Sequence, residues 1–228
     1  MEERATGILV RLGGLLSEPA RARMLLSLMD GRQRPATELA QLAGITPQTA
    51  SEHLRLLVDS GALRVAPQGR HRYYRLASEV WAETLETMAA MDLPNLPRPP
   101  PREKVPPLAQ ARLCYKHLAG RLGVAWAETL KERGWLQGAE LHFELSPGGL
   151  AALRKHQLLG ADEDPRRLAA KPCLDWTERR HHLAGPLANL LTQRMLERRW
   201  LIRSRQARVL LPTVEGERGL RLLGVELH

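Results

Sequence analysis

Apolar residues recur at helical spacing in two runs, 39–43 and 50–57, which are separated by a short interruption. The interruption contains Gly44, which permits a left-handed turn, and Thr46, which can cap a helix. Pro47 follows at a position that suits the first turn of a helix. The pattern therefore predicts a helix, a tight turn and a second helix, which is the layout of a helix-turn-helix.

The second predicted helix has two chemically different faces. Ala50, Leu54 and Leu57 can pack inward, whereas short hydrogen-bonding side chains cluster at its start and outer side. A recognition helix touches the major groove mainly with its N-terminal residues, so we expect this helix to read base edges. A solvated amphipathic helix is the alternative. The side chains expected at base edges are Gln48, Thr49, Ser51, Glu52 and His53, and Thr46 and Arg55 complete the DNA-binding set of this helix.

Two short strands are predicted next, at 63–65 and 73–76, joined by a polar tip with Pro and Gly. The segment 61–76 contains four arginines and no carboxylate, although residues 1–92 hold equal numbers of basic and acidic residues. Positive charge is thus concentrated where DNA phosphates would lie, as in a wing. The wing residues expected to hold DNA are Arg70, His71, Arg72 and Tyr73.

The segment from about residue 9 to residue 76 resembles the ArsR/SmtB family of winged-helix transcriptional repressors. The resemblance implies a homodimer that binds a roughly palindromic operator in double-stranded DNA and releases it when an effector arrives. It also implies an interface formed by 8–17 and 78–91, with an apolar seam of Trp81, Leu85, Met88 and Met91. The matching segments are 15–21 (LLSEPAR), 38–40 (ELA), 46–54 (TPQTASEHL), 61–63 (GAL) and 69–74 (GRHRYY).

The chain departs from the metal-sensing members of that family in two places. Many of them carry Cys-x-Cys at the start of the first motif helix, where this chain has Ala-Thr-Glu-Leu-Ala at 36–40. Others bind zinc through carboxylates and histidines on the last dimerisation helix, but 78–92 contains no histidine. We therefore expect any sensing to occur elsewhere in the chain.

Composition adds constraints on location and partners. The chain has 228 residues, 43% of them hydrophobic, and no apolar run long enough for a membrane span, so no membrane partner is expected. A formal charge of +9 suits a polyanion. The first residues are acidic rather than a basic leader, and two cysteines are too few for a disulfide scaffold. These features predict a cytoplasmic protein.

Seven prolines between 93 and 107 indicate an extended linker rather than a helix. A proline-rich peptide ligand for a partner is the alternative. The predicted domains are accordingly a winged helix-turn-helix at 1–92, a linker at 93–107 and a C-terminal regulatory domain at 108–228. The whole is expected to be mainly α with short β-hairpins, an α+β fold.

The C-terminal part contains an internal repeat. The sequence His-Leu-Ala-Gly occurs at 117–120 and at 182–185, and Trp-Leu occurs at 135–136 and at 200–201, with the same offset of 65 residues. We expect two related repeats, 108–160 and 173–228, each a helix, a short hairpin and a closing helix. They indicate a regulatory or assembly domain. A second DNA-binding domain is the alternative. The tryptophans could line an aromatic effector pocket or form the core of each repeat.

Residues able to sense a signal lie at the front of these repeats. Cys114 and His117 are three positions apart and are expected on one helical face. Thiolate and imidazole together suit zinc or copper(I), which makes a metal ion the candidate cofactor. The two cysteines lie three and nine residues before the repeated histidine, so no common ligand register is expected. Structural thiols, a thiol switch and a metal site all remain open interpretations. The second repeat contributes the candidates Cys173, Asp175, His181 and His182.

The sequence lacks the signals of an enzyme. It has no glycine-rich phosphate loop, no nucleophile elbow and no His-Glu-x-x-His motif. We therefore expect a sequence-specific DNA-binding regulator and not an enzyme. The expected form is a dimeric repressor, released by a small molecule, a metal ion or a thiol signal sensed in the C-terminal domain. An interaction protein that uses its winged helix without sequence-specific DNA binding is the alternative, and the carboxylate-free wing argues against it.

Overall fold

The computed structural model describes residues 2–68, 71–91, 105–138 and 141–226. Residue contacts divide the chain into a first unit, Met1–Leu85, and a second unit, Glu86–His228. The boundary lies within a helix, between Leu85 and Glu86. Most of the predicted linker 93–107 falls outside the described residues, and the domain limits at 92 and 108 stay predictions. None of the described helices is both long and apolar enough to cross a membrane.

The first unit has the order of elements expected for a winged helix. The elements are α1 (Glu2–Leu16), α2 (Pro19–Ser27), β1 (Arg34–Pro35), α3 (Ala36–Ala43), α4 (Pro47–Asp59), β2 (Leu63–Gln68), β3 (His71–Leu76) and α5 (Glu79–Ala90), which runs on into the second unit. Helices α3 and α4 are the predicted helix-turn-helix, and β1, β2 and β3 form the sheet of the wing.

The turn between α3 and α4 forms for the reasons that the sequence indicates. Gly44 has φ of +72°, a left-handed conformation that costs little only without a Cβ atom. The Oγ1 of Thr46 accepts a hydrogen bond from the backbone N of Thr49 at 3.2 Å, which caps α4. Leu54 and Leu57 of α4 are fully buried. The predicted helix-turn-helix is confirmed.

The wing is a three-stranded antiparallel sheet in the order β1-β3-β2. Strands β2 and β3 pair from Leu63 opposite Leu76 to Gln68 opposite His71. Both strands are longer than the predicted 63–65 and 73–76, because the pairing continues almost to the tip. The α+β winged-helix prediction is confirmed.

The second unit contains the same series twice: a β-hairpin, a helix, a second hairpin and a helix. The first series follows the short helix α6 (Pro107–Gln110), and a 3₁₀ helix (Pro165–Arg167) precedes the second. The first series is β4 (Arg112–Cys114), β5 (His117–Ala119), α7 (Arg121–Glu132), β6 (Leu136–Gln137), β7 (Glu144–Leu145) and α8 (Pro147–Lys155). The second is β8 (Lys171–Leu174), β9 (His181–Ala184), α9 (Pro186–Glu197), β10 (Leu201–Arg203), β11 (Leu210–Pro212) and α10 (Val214–Leu222).

The prediction that each repeat opens with a helix carrying its histidine is wrong. His117 and His182 lie on strands β5 and β9, and the helices begin only after the glycine that follows. Gly120 and Gly185 have φ of +79° and +93°, outside the right-handed helical region. The His-Leu-Ala run is therefore a buried strand that ends at a glycine, rather than the first turn of a helix.

The two series exchange their packing. Helix α7 packs on β9 of the second series, and α9 packs on β5 of the first. Both contribute to one apolar core, in which Trp126 and Trp200 are buried and against which Trp135 packs. These three tryptophans belong to the core, so the structure does not place them around an effector pocket.

Candidate functional site

Helix α4 presents its polar side chains at the surface of the first unit. Gln48, Ser51 and Glu52 are exposed at its start, and Thr49 is half-buried. Ala50, on the opposite face, is fully buried. The helix is thus held by its apolar side, and its first two turns offer amide, hydroxyl and carboxylate groups, which are the groups that read base edges.

Two further predicted DNA contacts already have partners within the first unit. The Nδ1 atom of His53 lies 3.3 Å from Nη1 of Arg21, and that guanidinium also donates to the carbonyl of Gly14. His53 is half-buried, and Arg21 of α2 links it to the last turns of α1. Arg55 pairs with Asp59 at 3.5 Å in an exposed contact of a kind that contributes little to stability. Its guanidinium can therefore exchange this partner for a phosphate at small cost.

The wing carries its cations on paired strands. Arg64 lies directly opposite Arg75, and Arg72 is exposed opposite Pro67. Like charges directly across a strand pair disfavour each other, and an anion bound over them would relieve that repulsion. Tyr73 is half-buried. Arg70 lies outside the described residues, as does the side chain of His71.

The second unit brings four of the six predicted sensing residues together. Cys114, His117, Cys173 and His182, called the Cys/His cluster below, each offer a ligand atom within 4.8 Å of the other three. The Nε2 atoms of the two histidines are 3.2 Å apart. Of the remaining two candidates, Asp175 lies beside His182, and His181 is exposed and outside the cluster.

The expectations about the positions of the cysteines are wrong in two respects. Cys114 and His117 do not share a helical face, because they lie directly opposite each other on β4 and β5. Cys173 and His182 occupy the same paired positions on β8 and β9, so the two repeats do have a common register. The spacing differs because the second hairpin has a longer loop, 175–180 against 115–116, and one further strand pair, Leu174 opposite His181.

The cluster is buried, and a carboxylate lies beside one of its histidines. Cys114 and His117 are 2% exposed, His182 is 0% exposed, and Cys173 is half-buried. The carboxylate of Asp175 approaches Nδ1 of His182 to 3.3 Å, a contact that is electrostatic rather than a well-aligned hydrogen bond. The same oxygen accepts a hydrogen bond from the backbone N of Gly120 at 2.7 Å.

A buried ionic network surrounds the cluster, and the sequence analysis missed it. Nη2 of Arg112 lies 3.0 Å from both Asp175 and Glu86. Glu86 also pairs with Arg208 at 3.1 Å, and Arg208 donates to the carbonyl of Leu113. Arg112, Glu86 and Asp175 are fully buried, although they are distant in sequence. Their spacing follows no motif, so only the fold shows that they meet.

The neighbours of the two thiols shift their pKa values in opposite directions. A hydrogen bond from the Cys114 thiol, and then contacts from His117 and His182, hold the pKa of Cys173 far below its usual range. The same hydrogen bond and burial raise the pKa of Cys114. A thiolate is therefore favoured at Cys173, and a thiolate is the form that binds soft metal ions or reacts with oxidants.

The two histidines also differ. Burial lowers the pKa of His117. Burial also opposes charge on His182, but the carboxylate of Asp175 and the Cys173 sulfur outweigh it and raise the pKa of that ring. Without a metal, His117 is therefore favoured as a neutral imidazole. The group combines sulfur and nitrogen donors that suit zinc or a related soft ion.

Comparisons with known proteins place this arrangement in context. Residues 16–66 match the family described as a helix-turn-helix domain. YdfF of Bacillus subtilis (strain 168), described as an uncharacterized HTH-type transcriptional regulator, is 42% identical over 222 residues, which is 92% of this chain and 93% of YdfF. The HTH-type transcriptional regulator CmtR of Mycobacterium tuberculosis is 36% identical over 83 residues, covering 36% of this chain and 70% of CmtR.

Among solved structures, the homodimeric winged helix-turn-helix domain of Mb0332 from Mycobacterium bovis, a possible ArsR-family regulator, is similar to part of this chain. It is 25% identical, with a TM-score of 0.35, over 38% of this chain and 80% of that one. The proteins matched in sequence are named as transcriptional regulators and not as enzymes, in agreement with the expectation from the sequence.

Proposed function

This chain belongs to the ArsR family of winged helix-turn-helix transcriptional regulators and is a DNA-binding regulator, and we propose that it acts as a dimeric, sequence-specific repressor. In this proposal α4 enters the major groove of an operator and the wing holds the adjacent backbone. The second unit receives the signal that releases the DNA. The proposal includes a cytoplasmic location, because the protein must be where its operator DNA is.

The observation that carries the proposal is the two-sided character of α4 beside a cationic wing. Gln48, Ser51 and Glu52 are exposed on a helix whose opposite side is fully buried. A helix anchored in this way can present its N-terminal side chains to base edges without losing its own packing. The paired arginines 64 and 75 supply positive charge on the neighbouring strands, as binding to phosphates requires.

The proposed dimer is supported by helix α1. None of its residues, all of which are described, is buried. Ile8, Leu9 and Val10 are 49%, 69% and 70% exposed, so three successive apolar side chains face solvent in the single chain. Such a patch favours a partner surface, and a second copy of this chain is the partner that the family resemblance implies. Leu85, expected in the apolar seam, is buried within the chain and does not take part.

The signal is proposed to arrive at the Cys/His cluster. The cluster fits a metal ion because its four donor atoms converge and because two sulfurs and two imidazole nitrogens are a ligand set that zinc-class ions prefer. The two thiols lie close enough that an external two-electron oxidant, such as a peroxide, would convert them to a disulfide with loss of two protons. The metal would be held by Cys114, His117, Cys173 and His182, with Asp175 orienting one of the histidines.

Fluorescence anisotropy tests the DNA-binding part of the proposal. The full chain, reduced and metal-free, is titrated onto labelled DNA from upstream of its own gene and onto a scrambled duplex of the same length. We expect tighter binding to the upstream DNA and an affinity that falls steeply with salt. Equal binding to the two duplexes would contradict sequence specificity, and binding to neither would contradict the function. Sedimentation of the complex tests the dimer, since one chain per operator would exclude it.

A further inference from the structure

We propose that Cys114, His117, Cys173 and His182 form a closed four-coordinate site for a divalent d10 cation of the zinc class, which clamps the two repeats of the second unit together. The inference deepens the proposed function, on which it rests only for the role of the site as a sensor. Sulfur and nitrogen donors alone would suit several soft ions and several sets of ligands. The proposal names one ion class and one set of four ligands.

The distances between the donor atoms suit a tetrahedral ion. Bonds of about 2.3 Å to sulfur and about 2.0–2.1 Å to nitrogen place the ligands of tetrahedral zinc about 3.3–3.8 Å apart. The four ligand atoms here all lie within 4.8 Å of one another, and the two Nε2 atoms are 3.2 Å apart. The four ligand atoms therefore lie within roughly 1.5 Å of the separations in a tetrahedral shell.

The two histidines direct their Nε2 atoms at the same point. These atoms are 3.2 Å apart, a distance that suits a hydrogen bond between the rings and also two nitrogen ligands of one tetrahedral ion. The Asp175 carboxylate lies at Nδ1 of His182, which leaves Nε2 directed at the cluster. A carboxylate behind a ligating histidine is the usual outer partner at metal sites. Asp175 is itself fixed by Arg112 and Gly120.

Charge balance selects a divalent ion over a monovalent one. The surrounding network contains two buried carboxylates, of Glu86 and Asp175, and two buried guanidinium groups, of Arg112 and Arg208. These charges cancel, so the cluster must be balanced by its own contents. Two thiolates and two neutral imidazoles carry a charge of about −2, which a divalent ion neutralises and copper(I) does not.

The position of the site defines what the ion would do. Each hairpin supplies one cysteine and one histidine from paired positions on its two strands. All four coordination positions are then filled by protein, as in structural zinc sites, and none is open for a substrate. An ion held in this way links β4 and β5 of one repeat to β8 and β9 of the other.

Cobalt(II) provides the probe, because its visible spectrum reports tetrahedral coordination and its near-ultraviolet charge-transfer band reports bound thiolates. The reduced full chain is freed of metal with a chelator and titrated with Co²⁺, and then with Zn²⁺. We expect one Co²⁺ per chain, a tetrahedral spectrum with the intensity of two thiolates, and full displacement by one equivalent of Zn²⁺.

Cys173→Ser should lose the charge-transfer intensity of one thiolate and weaken Co²⁺ binding at least tenfold. His181→Ala, which alters the exposed neighbour of a ligand, should bind as the wild type does.

Several outcomes would overturn the proposal. They are an octahedral spectrum, fewer than two thiolates in the wild-type complex, failure of Zn²⁺ to displace Co²⁺, or equal loss in the His181→Ala control. The wild-type spectrum is decisive even if Cys173→Ser does not fold, which circular dichroism of the metal-free variant would reveal. Anisotropy with upstream DNA on the same metal-free sample separates the two proposals. A chain that forms the tetrahedral Co²⁺ complex but does not bind the DNA would contradict the repressor function alone. A chain that binds the DNA but takes up no Co²⁺ would contradict the metal site alone.

Discussion

The Nε2 atoms of His117 and His182 lie 3.2 Å apart, although the residues are separated by 65 positions in the sequence. The two histidines are equivalent members of the repeat, and equivalent residues meet each other where two copies are related by a twofold axis. The packing of α7 on β9 and of α9 on β5 is also reciprocal, since each helix contacts a strand of the other repeat. The second unit is thus built like a dimer within one chain, and the Cys/His cluster lies where its halves meet.

Zinc is expected to stabilise the second unit against heat and denaturant. An ion that binds only the folded state adds about 4 kcal/mol when its free concentration is a thousand times its dissociation constant. Tryptophan fluorescence is a suitable measurement, because four of the five tryptophans lie in the second unit. Zn²⁺ should raise the unfolding midpoint of the wild type and of His181→Ala equally, and should raise that of Cys173→Ser less, because a tenfold weaker site loses about 1.4 kcal/mol of this stabilisation. A rise of equal size in Cys173→Ser would place the bound zinc elsewhere.

Loss of Arg112 is expected to be far more costly than loss of an exposed arginine. Arg112 is fully buried between Glu86 and Asp175, so Arg112→Met leaves the buried Asp175 without its guanidinium and Glu86 with Arg208 alone. Breaking a buried pair in this way costs about 3–5 kcal/mol. The control is Arg221→Met, which removes an exposed pair with Glu217 and should cost at most about 1 kcal/mol. Urea unfolding of the metal-free proteins measures both, and similar costs would show that the buried network does not stabilise the fold.

The contrast between Gly44 and Arg112 explains how much of this molecule could be predicted. Gly44, Thr46 and Pro47 act on their own backbone, so the helix-turn-helix follows from a local pattern. Arg112, Glu86 and Asp175 lie far apart in the sequence and meet only after the second unit has folded. No local pattern encodes such a contact.

The Cys/His cluster falls between these cases. Its four residues were predicted as candidates from their chemistry and from the repeat. The unequal spacing of Cys114 and Cys173 from their histidines hides the shared register, because helical spacing does not apply to residues on two paired strands. Loop length does not affect the pairing of strands, so residues three and nine positions apart can occupy the same place in two hairpins.

Adjacent glycines of α8 are expected to respond oppositely to alanine. A Cβ atom on Gly149 would overlap the backbone carbonyl and the side chain of Trp135, whereas one on Gly148 would have no neighbour closer than 3.8 Å. Gly149→Ala should therefore lower the free energy of unfolding by about 1–3 kcal/mol or more. Gly148→Ala should be neutral or should stabilise by up to about 1 kcal/mol, since alanine favours a helix over glycine. Thermal unfolding of the two variants provides the comparison, and equal midpoints would contradict the close packing of α8 on Trp135.

Removing wing cations is expected to weaken binding to every DNA sequence. In the double variant Arg70→Ala, Arg72→Ala, each lost phosphate contact should reduce the slope of log affinity against log salt by about one unit. Arg72 is exposed near the end of the wing, and Arg70 precedes it in the sequence. Anisotropy at several salt concentrations measures the slope on the operator and on scrambled DNA. An unchanged slope would show that the wing does not contact phosphates, whatever happens to the affinity.

Gln48 is expected to determine preference at one position of the operator. Its side chain is exposed one residue after Pro47, at the end of α4 that enters a major groove. A glutamine that pairs with a base edge discriminates against the wrong base by about 1–3 kcal/mol. Gln48→Ala should therefore lose preference at one base pair of each half-site and keep it at the others, which serve as internal controls. Selection of bound sequences from a randomised operator measures this for both proteins. A variant with the wild-type preference at every position would remove Gln48 from the set that reads bases, while a uniform loss at all positions would point instead to a misplaced helix.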